Sequence, residues 1–289
     1  MSDDDLDRYP GIGERLRAHR LGLGLSAEAM AERLRVSRTA LYRYERGEPP
    51  KLPMLERAAA VLGLPLGTLL GVGVEWFASP LAFFERLRQV EEVAEQLFVL
   101  FGPLSLLLTS DDYDALMPEL VAEALPPGQD PAPLLATLRR RKATWERRRP
   151  GVISMLSLPE VERTLADGIA ARHDLPPAVQ AARRAAARAE ILHVARLAEA
   201  PPRGVQIGLL LQSVPTTGFS LARARRETAL AVSPFRLGGQ SNLATGIALV
   251  TSAPDAVRLH DDVAEKLWRE SIKGDAAAGI LRRAVAAAE

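Results

Sequence analysis

The chain has 289 residues, with 37 Lys and Arg against 36 Asp and Glu, 47% hydrophobic and 5% aromatic residues, and no cysteine. At ~150 residues per domain this is a chain of about two domains with enough apolar mass for packed cores, which excludes wholesale disorder and a fibrous rod. The lack of cysteine excludes disulfides, iron–sulfur clusters, thiolate zinc sites and cysteine nucleophiles.

Residues 1–9 open with Met-Ser-Asp-Asp-Asp-Leu-Asp, an acidic, flexible tail where a secretory signal would be basic and then apolar. The longest apolar run, residues 97–108, contains Gly102-Pro103 and falls well short of the ~20 residues needed to span a bilayer. A soluble, cytoplasmic protein with no membrane partner is expected.

Residues 10–73 read as five short helices. Ile12, Leu16 and His19 share one helical face, which the Gly22-Leu23-Gly24 turn ends. Ser26 caps a second helix to Leu34, and Ser37 caps a third to Arg46, where Gly47 supplies a left-handed stop. After Pro49-Pro50, Leu52, Leu55, Ala59 and Leu62 form a core-facing stripe, and a last turn runs from Pro65 to Leu70. Positive charge gathers here: residues 11–70 hold ten Lys and Arg against six Asp and Glu.

In residues 74–103, Phe83, Leu87, Val90, Ala94, Leu97 and Phe101 alternate spacings of four and three. That pattern predicts one long helix, which serves as a linker and either dimerises or packs on the core. Residues 104–289 read as an α/β domain for effector binding or oligomerisation. Strands are expected at 104–108, 205–211, 228–232 and 247–250, and helices at 111–124, up to Arg149, 177–200, 254–273 and 275–288.

Two capped helices separated by about three residues form a helix-turn-helix, whose second helix is suited to the ~12 Å major groove. Counted from Ser37, the outward side carries Arg38, Thr39, Tyr42 and Arg43, while Ala40, Leu41 and Tyr44 can face the core. Two arginines on one exposed helical face are suited to reading guanine. Tyr42 has two readings, stacking on sugar or packing on the fourth helix.

Val36-Ser37-Arg38-Thr39-Ala40-Leu41-Tyr42-Arg43-Tyr44-Glu45-Arg46-Gly47, with Leu55-Glu56-Arg57-Ala58-Ala59-Ala60-Val61-Leu62-Gly63-Leu64, resembles the lambda-repressor-like (Cro/C1, XRE) DNA-binding family over about residues 10–70. The resemblance implies base contacts from Arg38, Thr39 and Arg43, phosphate contacts near Ser37 and Lys51, and an Arg20–Glu45 salt bridge. Arg20 is also counted among the groups that position the DNA. Ala27 stands where the family commonly has Gln, a side chain that anchors to the DNA backbone.

Beyond that segment, Leu107-Leu108-Thr109-Ser110-Asp111-Asp112-Tyr113 and the Arg-rich stretch after it resemble a sensor-type domain found behind this motif in bacterial regulators. Residues 231–268 resemble catalytically inactive phospholipase-D-like effector domains. The His-x-Lys signature of the active enzymes does not occur at His19, His173, His193 or His260. No Gly-x4-Gly-Lys-Ser/Thr loop and no scissile Ala-Gly before a Ser–Lys dyad stands out, so nucleotide sensing and self-cleavage are not expected.

Arg139-Arg140-Arg141-Lys142 and Arg147-Arg148-Arg149 read either as a further phosphate contact or as a helix face with intrachain partners, and Arg183, Arg184 and Arg188 read the same way. His260, Asp261, Asp262 and Glu265 read as an acidic capping turn more simply than as a metal site, and His193 as a core residue. The expectation is a dimeric repressor on a pseudo-palindromic operator with a small-effector domain, using no catalytic residue, metal or cofactor. The rival readings are an antitoxin or phage-type regulator controlled by a protein partner, and an enzyme with a DNA-binding appendage.

Overall fold

The serine caps set the first helices. The computed structural model describes residues 11–288 apart from 171, 173 and 215–217, so the acidic tail and His173 lie outside the described residues. Helices α1 (Ile12–Gly22), α2 (Ala27–Leu34), α3 (Arg38–Glu45), α4 (Leu52–Leu62) and α5 (Leu66–Leu70) form the N-terminal bundle. The hydroxyls of Ser26 and Ser37 accept from the backbone N–H of Ala29 and Ala40, each at 3.1 Å, satisfying donors that an open helix end would leave unpaired. Leu16, Met30, Leu34, Leu41 and Leu69 form its dry centre.

The remaining chain builds one mixed sheet from β1 (Val74–Phe77), β2 (Gln96–Leu100), β3 (Gly151–Ser157), β4 (Val205–Leu210), β5 (Gly218–Arg223), β6 (Thr228–Ser233) and β7 (Ala248–Thr251), in the order β1-β7-β6-β5-β2-β3-β4. Strands β2, β3 and β4 are parallel; the other pairings are antiparallel. Helices α6 (Pro80–Val93), α7 (Asp111–Ala124), α8 (Ala132–Arg148), α9 (Leu158–Asp167), α10 (Pro177–Glu199) and α12 (Gly274–Ala287) contribute to the core on one face. Helix α11 (Pro254–Glu270) packs over the other, against Phe98, Phe219, Leu221 and Leu230.

The one long helix predicted within 74–103, with its apolar stripe from Phe83 to Phe101, is corrected: α6 stops at Val93, and 96–100 is a central strand. The spacing misleads because Phe83, Leu87, Val90 and Ala94 of the first part, and Leu97 of the strand, all point into the same core. Strand β2 is covered on both faces, Leu97 and Val99 toward one core and Phe98 and Leu100 toward the other. Such a continuous apolar run carries no periodicity of its own. Residues 74–103 are therefore not a linker; they supply two strands and a helix to the sheet domain. The strand predicted at 104–108 is a 3-10 turn, Leu106–Leu108, leading into α7, whose cap is Ser110.

The two parts meet through α1, β1 and α6. Glu75 accepts from Arg15 Nε and from Arg86 Nε, each at 3.0 Å, and all three residues are buried. Gln89 donates to the carbonyl of Glu14 at 3.0 Å, and Arg17 faces Glu85 at 3.4 Å. Gly22 lets the helices approach, since a Cβ there would lie 2.5 Å from that of Ala82.

His19 lies in the same contact, stacked on Phe77 with ring centroids 4.8 Å apart. Burial pushes its pKa down to about 4, with Arg86 and Arg15 adding to the shift and Glu75 opposing it. Above the ordinary value of ~6.5, folded and unfolded states are both neutral. As pH falls from there toward 4, only the unfolded chain takes up the proton. Stability should therefore fall across that window, by about 3 kcal/mol at its low end. His19→Leu should flatten this part of a Tm-against-pH series; an unchanged slope would contradict the buried neutral ring.

Candidate nucleic-acid interface

Helix α3 has eight residues, about 12 Å of helix, a length that matches the major groove. The turn before it contains Arg35 in the left-handed region, with φ of 55°, followed by Val36 and the Ser37 cap. Gly13 holds α3 close to α1, because a Cβ there would lie 1.9 Å from the carbonyl oxygen of Tyr44. Gly13→Ala should displace α3 and cost about 1–3 kcal/mol, as overpacking does. A urea midpoint equal to that of the parent chain would contradict this packing.

Arg38, Thr39 and Arg43 are exposed on α3, and Tyr42 is half-buried. Their spacing makes two adjoining rows, Arg38 with Tyr42 and Thr39 with Arg43, each pair four residues apart. Arg38 Nη2 donates to the Tyr42 hydroxyl at 3.2 Å, and its guanidinium lies 5.3 Å from the ring centroid. That hydrogen bond, then the nearby Glu28 carboxylate, holds the Arg38 pKa above its ordinary value. Arg38 also pairs with Glu28 at 2.5 Å, and Arg43 with Glu48 at 3.2 Å. Both pairs are solvent-exposed, so exchanging the carboxylate for a base edge or phosphate loses little. Tyr42 packs on the bundle core with its hydroxyl held by Arg38, which favours the packing reading.

Of the predicted positioning groups, Ser37 and Lys51 are exposed at the starts of α3 and α4, although the Ser37 hydroxyl is occupied as the cap. Arg20 is corrected. It is 5% exposed; its Nε and Nη2 donate to Glu45 at 2.6 and 2.9 Å, and Nη1 donates to the Leu25 carbonyl at 2.8 Å. Arg20 is thus a clamp between α1 and α3, and its donors cannot serve DNA as well. Sequence reasoning passed over the exposed Arg33, Arg35 and Arg46, which flank α3; the local excess of arginine was the available signal.

The other candidates are dispersed. In the basic stretch, Arg141 pairs with Glu91 at 2.8 Å, Lys142 with Asp114 at 2.5 Å, and the Arg149 guanidinium lies 4.8 Å from the Trp145 ring centroid. Arg183 pairs with Glu119 and Glu123. Asp261 meets Arg223, Asp262 faces Arg258, and His260 Nδ1 lies 2.9 Å from the Ala256 carbonyl. His193 Nε2 lies 3.0 Å from the Leu108 carbonyl.

This arrangement of α2, turn and α3 defines a helix-turn-helix domain, the class of fold that presents a helix to DNA. Residues 12–70 match the family model described as Helix-turn-helix domain. A search of curated proteins finds no match to the chain. Among the described residues, no helix is long and apolar enough to cross a membrane.

Proposed function

We propose that this chain is a sequence-specific, cytoplasmic transcription regulator of the lambda-repressor-like (Cro/C1, XRE) kind, a dimeric repressor acting on a pseudo-palindromic operator. The observation that carries the reading is the outward face of α3, with Arg38, Thr39 and Arg43 exposed and the helix pinned from behind by Arg20 and Glu45. Arg38 and Arg43 specify bases, while Lys51 and the start of α3 at Ser37 position the phosphates. The sheet domain is, in this reading, a catalytically inactive phospholipase-D-like domain that senses a small effector. The residues of that likeness, 231–268, comprise the end of β6, β7 and most of α11. The chain is read as no enzyme, and its regulation as needing neither metal nor cofactor.

A selection from a random DNA pool with the full chain tests this proposal. It should enrich a two-fold motif whose half-sites lie about 10 base pairs apart, or a multiple of that; a pool without an enriched motif would sink it. A second reading, control by a protein partner, is favoured by Trp76 and Ile247, which are 55% and 66% exposed. Trp76 lies opposite Leu249 at the edge of the sheet. A large aromatic side chain in the open is a common anchor in protein interfaces.

A further inference from the structure

Helix α6 serves two neighbours. Ala82, Glu85, Arg86 and Gln89 meet or lie toward α1 and β1, whereas Phe84, Leu87 and Glu91 line a cavity of about 50 Å³. Most of the remaining wall is apolar, including Leu138 of α8 and Phe235. The charged groups that line it are already engaged. Arg141 Nε and Nη2 hold the two carboxylate oxygens of Glu91 at 2.9 and 2.8 Å. Arg236 Nε donates to the Gln240 carbonyl at 2.9 Å, and its charge acts on Glu160, whose pKa burial raises and Arg236 draws back down. An ion entering this cavity would lose its hydration without meeting an unpaired counter-charge, which is costly.

Two hydroxyls on the wall are unused. Tyr113 and Ser220 line the cavity, each 4% exposed, and among the described residues neither hydroxyl makes a hydrogen bond. Ser220 stands between Phe219 and Leu221, which pack toward α11, so strand alternation turns it to the opposite face of the sheet. Burial, then the Glu190 and Asp114 carboxylates, hold the Tyr113 pKa well above its ordinary value, with Arg183 opposing. The phenol therefore keeps its proton and is a donor. A serine hydroxyl can donate or accept, so Tyr113 decides what a ligand must offer. A buried donor left unpaired is costly, and the group that suits this wall is an uncharged acceptor on an apolar body.

We propose that this cavity binds a compact, uncharged carbonyl compound, its oxygen accepting from the Tyr113 hydroxyl and its hydrocarbon part among Phe84, Leu87, Leu138 and Phe235, and that α6 passes the occupancy to the helix-turn-helix domain. The inference rests on the effector-sensing reading above and gives it a site and a ligand class. The enclosed space corresponds to a few water-sized groups, at about 10–15 Å³ each, which selects a small ring over a long chain.

The test is ligand-observed NMR titration of the full chain with cyclopentanone, its hydrocarbon counterpart methylenecyclopentane, and cyclopentanecarboxylate. Cyclopentanone should bind and the carboxylate should not. Tyr113→Phe should keep the parental Tm or exceed it, because the hydroxyl it removes bonds nothing in the protein. The same variant should weaken cyclopentanone about tenfold, since the enclosed carbonyl oxygen loses its donor, and leave the hydrocarbon's affinity undiminished. Absence of cyclopentanone binding, tighter binding of the carboxylate, or an equal response of ketone and hydrocarbon to Tyr113→Phe would overturn the site. Binding of the enriched DNA is then measured with and without cyclopentanone. A several-fold change supports the route through α6, and no change with cyclopentanone bound overturns that route. If the chain enriches no DNA, the regulator reading and the route that depends on it both fail, while the NMR titration still decides the site.

Discussion

Arg20→Met should lower the melting temperature of the helix-turn-helix domain by about 10 °C or more. Removing one partner of a buried ion pair leaves the other charge uncompensated, at about 3–5 kcal/mol, and a domain of this size loses several degrees per kcal/mol. Arg20 and Glu45 are each 5% exposed, so water does not replace the lost partner. The double variant Arg20→Met with Glu45→Leu should recover most of the loss, because two apolar groups of similar size remove the stranded charge as well. Thermal unfolding of the two single variants and the double variant provides the cycle. If Arg20 were instead a phosphate contact, Arg20→Met would weaken DNA binding at unchanged Tm.

Arg43→Ala should relax base preference at one position of each half-site, by about 1–3 kcal/mol for the loss of a bidentate pair, a change on the order of ten- to a hundredfold. Its side chain is 59% exposed and, among the described residues, pairs with Glu48, so little stability is lost with it. Lys51→Ala should behave differently: affinity falls alike for all sequences, and the slope of log K against log salt shrinks by about one. Titrations on the enriched site and on single-base variants of it separate the two. Equal losses on every sequence for Arg43→Ala would assign that residue to the phosphate backbone.

The N-terminal bundle was legible because its information is local. Ser26 and Ser37 mark helix starts by their own hydroxyls, Gly47 and Gly63 mark ends through positive φ, and the apolar stripes point inward at helical spacing. The outward residues of α3 followed from the same count. Arg20 shows the limit: the resemblance implies its salt bridge, the sequence also admits it among the groups that position the DNA, and only burial decides between them. In the sheet domain, β1, β2, β3 and β5 escaped because each has one or both neighbours far away in sequence. Strand β2 pairs Leu97 with Val152 on one side and Ala222 on the other. Neither Gly nor Pro marks the end of α6 at Val93; the residues after it become a strand because the sheet supplies partners on both edges. The cavity beside α6 was illegible for the same reason: Glu91, Arg141 and Phe235 meet only in the fold.

The measurement that bears most directly on α3 as the reading element is methylation interference on the enriched DNA site, using the full chain. Methylation of guanine N7 places a methyl group on the major-groove edge that an arginine would occupy. Interference should fall on guanines in two clusters about one helical turn apart, or a multiple of it, and one guanine per cluster should lose its effect in Arg43→Ala. Tight binding that tolerates every guanine N7 methyl group in the site would contradict entry of α3 into the major groove.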